Sequence, residues 1–346
     1  MLSLKITLVA ALLAAISLSQ VGCGGSTNFT SAKVYYYKNE DYAKAEDFAR
    51  QAVTDQPDNW EAHLILGMAL AKQEKYSEAG RAFREAHAVA PEDKKEMVYN
   101  NQHSFFVELF NKGITANSTM NYDEAVDYFE KAVAIEPGYA KGQINLGVTY
   151  SILKEQDKAL AAFKRAVEAD PEAVDGWRNL GITYQAMKDY DLAAEAYEEV
   201  VELVPEDTDG LFSLGDMYFN RKDYEKALEH YNKAAENRSE DAALQYQIGA
   251  SYFSLENFTD AAQGFQKAAA LSQQDDLELY KDAMYNLGVS YLRVEQYEDA
   301  ISIFERLLDM QETPEVLEML GAALGKMGRS EDAMAAFERA KQLSGD

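Results

Sequence analysis

The chain has 346 residues, 59 acidic against 33 basic, and a formal net charge of −26. That balance opposes the phosphate neutralisation on which nucleic-acid binding depends, and it repels an anionic membrane surface. A single cysteine rules out an internal disulfide framework. A strongly acidic surface suits basic partners, or simply keeps an elongated protein in solution.

The first nineteen residues read as a targeting segment. Lys5 is their only charge, and residues 6–18 (ITLVAALLAAISL) form an apolar stretch too short for a resident membrane helix. Residues 1–22 are therefore taken as a signal peptide. Gly22-Cys23 follows directly and resembles a bacterial lipobox, which implies lipidation at Cys23, a tether over residues 23–30 and anchorage at the outer membrane facing the periplasm. The alternative is a plain signal peptide with an incidental cysteine and a periplasmic or secreted product.

From residue 26 onward the chain repeats. Gly67, Gly113, Gly147, Gly181, Gly215, Gly249, Gly288 and Gly321 each have alanine twelve residues later and Phe or Tyr sixteen residues later. Most intervals between them are 34 residues. Each glycine centres one amphipathic helix, and each Ala/aromatic couple lies on a second. Pro91, Pro137, Pro171 and Pro205 mark the junction to the next pair. Small residues let two helices approach and aromatics fill the gaps that the crossing leaves. A unit of this size cannot bury its apolar face alone, so neighbours must stack.

Period, Gly, Ala, aromatic and Pro together resemble the tetratricopeptide repeat. The resemblance implies an all-α fold, a right-handed superhelical solenoid of about nine helix pairs starting near 26, 60, 106, 140, 174, 208, 242, 281 and 314. The first pair departs from the pattern, with Lys33 in place of the glycine and Ala49 in place of the aromatic. Units one and two span 26–93, and units three to nine span 106–346. Between them, 94–105 breaks the register and is a candidate hinge. A shorter insertion, 276–280, keeps helical spacing and predicts a lengthened helix.

Twenty residues after the glycine, a position expected to face the following unit is apolar from Val133 to Leu308. It is His87 beside the insertion and Lys341 in the last unit, where a polar residue suits an end cap.

Chemistry has little to work with. The four histidines form no metal-ligand spacing, and no phosphate loop, nucleophile elbow or Cys/His constellation occurs. The chain is read as no enzyme, with no cofactor, metal or small-molecule substrate.

In tetratricopeptide repeats, first-helix residues three before and one or four after the glycine line the concave groove. Carried onto this chain, the resemblance assigns Phe110, Ile144, Arg178, Phe212, Asp216, Phe219, Tyr246, Phe253 and Tyr285 to a partner-binding wall. Asp209 and Asp282 add acid nearby. The partner implied is a peptide or helix of another protein, apolar with basic character. Two alternatives stand beside this reading: the rings simply pack between neighbouring first helices, or the protein self-associates as an envelope scaffold.

Overall fold

The structure, a computed structural model, describes residues 27–272 and 276–345. The leader and Cys23 lie outside the described residues. The eighteen described helices form nine antiparallel pairs, and no strand occurs among the described residues. The chain divides into two compact units after Gly142.

The first unit holds α1 (Thr27–Tyr37) with α2 (Tyr42–Asp55), α3 (Trp60–Lys72) with α4 (Tyr76–Val89), and α5 (Glu92–Ser118) with α6 (Tyr122–Ile135). The second holds six pairs. These are α7 (Ala140–Ile152) and α8 (Gln156–Ala169), α9 (Val174–Ala186) and α10 (Tyr190–Leu203), and α11 (Thr208–Asn220) and α12 (Tyr224–Asn237). They continue with α13 (Ala242–Ser254) and α14 (Phe258–Ser272), α15 (Leu277–Arg293) and α16 (Tyr297–Met310), and α17 (Pro314–Lys326) and α18 (Ser330–Ser344).

The glycine–aromatic couple is what closes each pair. A Cβ built at any of the eight glycines would lie 2.5 to 2.9 Å from the ring sixteen residues on, closer than real side chains approach. Phe83, Phe129, Phe163, Tyr197, Tyr231, Phe265 and Phe304 are at most 2% exposed. Burial of each ring contributes roughly 2–3 kcal/mol. Phe337 alone of the set is 45% exposed. In the first pair the sizes are exchanged: Ala49 is fully buried, and Lys33 folds back to place its ammonium 5.0 Å from the Phe29 ring centre.

Between pairs, Val167 on α8 meets Gly176 on α9, where a Cβ would be 2.9 Å away. The position twenty residues after the repeat glycine thus does face the following first helix. His87 and Lys341, at the same position, are exposed.

Side-chain caps fix several helix starts. Asp41, Asn59, Asp189, Asp223, Asp241, Asp276 and Thr313 each accept a bond from the third backbone N–H onward. Pro137, Pro171 and Pro205 sit in the turns, ahead of the first helical residue.

Within each pair the turn has a common geometry that the sequence does not announce. Seven residues after the repeat position, the backbone is left-handed at Glu40, Glu74, Met120, Lys154, Lys188, Lys222, Glu256 and Glu295, with φ between 50° and 64°. Only the last pair has glycine there, Gly328.

Residues 94–105 are helical throughout and give α5 its 27-residue length. They dock through Gln102, whose Nε2 donates to the Ile135 carbonyl at 2.7 Å, and Phe105, 6.0 Å from the Phe83 ring. A stack of Tyr99, His103, Phe106 and Phe110 runs along the same helix. The 276–280 segment begins α15 at Leu277 and buries Tyr280.

Candidate functional site

The first helices of the second unit carry eight of the nine wall residues, and every one of them is half-buried. Phe110, the ninth, is half-buried on α5 in the first unit, 5.5 Å from the Phe129 ring.

The wall rings are held mainly by their own pair. Phe212 leans on Tyr231 with ring centres 5.7 Å apart, Tyr246 on Phe265 at 5.4 Å and Tyr285 on Phe304 at 6.3 Å. Four residues after the glycine, Phe219 packs edge-on against Tyr224 at 5.3 Å and Phe253 against Phe258 at 5.1 Å. One link runs between neighbouring first helices: Asn286 Nδ2 donates to the Tyr246 hydroxyl at 3.0 Å. The rings are thereby fixed on one side and solvated on the other, an arrangement suited to binding with little loss of side-chain freedom. Ile144 and the more exposed Ile182 extend the apolar surface along α7 and α9.

The charges on this wall have separate fates. Arg178 Nη2 lies 2.9 Å from Asp207 Oδ2, so its charge is neutralised at the start of α11. Asp209 is paired with Arg238 at 2.6 Å. Exposed Asp282 adds to burial in raising the Tyr246 hydroxyl's pKa. Asp216 accepts a 2.6 Å bond from the hydroxyl of Tyr231. Burial raises the pKa of its carboxyl despite that bond.

Two residues behind the wall escape sequence reasoning. Tyr197 and Tyr231 read as core aromatics, and their rings are buried, yet their hydroxyls reach Gln185 and Asp216 on the first helices. The only available signal was Tyr where five other repeats have a buried Phe. Among the described residues, no group of three His, Cys, Asp or Glu side chains is placed to hold a metal, and no helix is long and apolar enough to cross a membrane.

Two tetratricopeptide repeat profiles match the sequence, one over residues 34–93, 119–174, 178–242 and 285–346, the other over 240–313. No curated protein sequence matches the chain. Several solved structures resemble parts of it. A tetratricopeptide repeat protein from Parabacteroides merdae ATCC 43184 is 16% identical, covering 69% of this chain and 93% of its own, with a TM-score of 0.49. YrrB, described as a TPR protein with an unusual peptide-binding site, is 23% identical over 61% of this chain and 97% of its own, TM-score 0.47. MamA from Desulfovibrio magneticus RS-1 is 21% identical over 49% and 97%, TM-score 0.46.

Proposed function

The chain belongs to the tetratricopeptide repeat family, and from that premise we propose that it is a scaffold holding a peptide or helix of a partner protein on the first-helix wall of its second unit. The observation that carries this reading is the set of five aromatic rings, Phe212, Phe219, Tyr246, Phe253 and Tyr285, each braced from behind and half open to solvent. Braced aromatics of this kind supply large contact area at low entropic cost. The partner segment is apolar with some positive charge, matching a chain of net charge −26. No catalytic step is assigned to the protein.

The reading is tested by recovering partners from native cells with the parent chain and with Phe212→Ala/Tyr246→Ala. Loss of specific partners from the variant supports it, and equal recovery removes the wall assignment.

The cellular setting is the bacterial envelope, with the chain held by acyl groups on Cys23 and serving envelope, pilus or secretion assembly by analogy with other anchored repeat proteins. Cys23→Ala should abolish palmitate labelling and membrane fractionation; unchanged labelling defeats the anchor. A second reading, self-association into a scaffold, draws support from the exposed Phe337 ring. Light scattering that finds a monomer at high concentration removes it.

A further inference from the structure

Asp216 carries a charge that the fold does not require. The residue after the repeat position is apolar in all other pairs: Val34, Met68, Ile114, Val148, Ile182, Ala250, Val289 and Ala322. The buried Tyr231 hydroxyl does require an acceptor, but a neutral one suffices, as the preceding repeat shows with Gln185 opposite Tyr197. A carboxylate held half out of water with one neutral hydrogen bond is destabilised relative to an amide in the same place.

Among the described residues nothing offsets that charge. Among the described residues no lysine or arginine forms an ion pair with Asp216, and no protein donor other than Tyr231 reaches its side chain. The nearby wall cation, Arg178, is already committed to Asp207.

Its surroundings are aromatic. Phe212 lies four residues before and Phe219 three residues after, so all three side chains share one face of α11 at neighbouring positions. Both rings are half-buried and fixed from behind by Tyr231 and Tyr224. A carboxylate flanked by two aromatic side chains can receive an organic cation, pairing its charge beside aromatic rings.

We propose that Asp216, with Phe212 and Phe219, is a subsite for one arginine or lysine side chain of the partner. This deepens the wall assignment above and rests on it. The cation completes an interaction that the free chain leaves half made, and it fixes the register of an otherwise apolar segment along the wall.

Three small probes test this directly: N-acetyl-arginine amide, N-acetyl-lysine amide, and N-acetyl-citrulline amide as the neutral isostere of arginine. Ring ¹³C signals of Phe212 and Phe219 report binding. The two cations should shift both rings saturably and citrulline should not. Asp216→Asn, which keeps an acceptor for Tyr231, should weaken the cations at least about tenfold, while Asp209→Asn leaves them unchanged. Because a chain of net charge −26 concentrates cations everywhere, shifts spread over the whole acidic surface, or equal weakening by both variants, overturn the subsite. Equal citrulline binding also overturns it. Partner recovery keeps the two readings apart. If Phe212→Ala/Tyr246→Ala loses the partner and Asp216→Asn retains it fully, the wall stands and the cation subsite falls.

Discussion

Gly80 on α4 lies directly against the carbonyl oxygen of Ala134 on α6, so close that a Cβ at Gly80 would collide with it. The second helices of consecutive pairs therefore touch backbone to backbone in the first unit. This contact coincides with the lengthened α5.

Two effects oppose each other at that glycine, which decides what substitution does. Helix propensity alone would make Gly80→Ala stabilising by about 1 kcal/mol. The collision involves backbone on both sides, which cannot swing away, and overpacking of this kind costs about 1–3 kcal/mol. Gly80→Ala should therefore lower the urea midpoint of unfolding. Gly138→Ala, with no neighbour within 4 Å, should change the stability by no more than about 0.5 kcal/mol and so leave the midpoint nearly unmoved. Equal midpoints for the two variants would show that α4 and α6 are not in close contact.

The left-handed turn residues offer a second check. Lys188 has φ 61° and an exposed side chain. A β-branched residue there should cost about 1–2 kcal/mol, whereas glycine removes the backbone strain and gives back most of that gain as chain entropy. Lys188→Val should melt lower than the parent, and Lys188→Gly at or slightly above it. The same order is expected at Lys154 and Lys222.

Glu46 on α2 is 7% exposed and binds Lys75, Arg50 and Gln73, tying α2 to the turn between α3 and α4. Burial pushes its pKa up, but hydrogen bonds from Lys75, Arg50 and Gln73 outweigh burial and hold it below the ordinary 4.5. A depressed carboxyl contributes stability that is complete above the unfolded value and lost as pH falls through the folded one. Glu46→Gln should cost about 1–2 kcal/mol near neutrality. In thermal melts the gap to the parent should shrink as pH falls below the ordinary 4.5; a gap of equal size at pH 3 and pH 7 contradicts the network.

Asp216 runs the other way. Its carboxyl is raised from 3.8 by burial, so the charged form weakens the fold above the raised value and the effect vanishes below 3.8. Asp216→Asn should melt higher than the parent at pH 7 and level with it at pH 3. A variant less stable at pH 7 would mean that Tyr231 needs the carboxylate itself.

What the sequence discloses and what it hides divide along physical lines. The Gly147–Phe163 couple is legible because one residue must be absent in size and the other large, and both recur at fixed spacing. The half-buried rings on α11 and α13 are placed by the same counting. Lys154 and Lys188 are not legible as left-handed, since neither residue favours that conformation; packing of the two flanking helices imposes it. Residues 94–105 read as a break because no other repeat has a counterpart to them, although one of the residues they dock on, Phe83, is the repeat aromatic itself. The Asp216–Tyr231 bond joins positions fifteen residues apart on two helices, and no periodicity marks it. Lys33 and Ala49 read as decay of the first repeat, whereas the structure keeps Ala49 fully buried and sets the Lys33 ammonium over the Phe29 ring.

The recurring turn at Lys154 and Lys188 makes chain length an adjustable quantity. The two residues hold the same backbone conformation 34 positions apart, each between a first and a second helix. Excising 155–188 would join Lys154 to Asp189, the capping residue of α10, and set Gly147 against Tyr197, a couple of the same kind as the two it replaces. Copy number can thus be edited at the hairpins by whole modules, shortening or extending the row of first helices one repeat at a time.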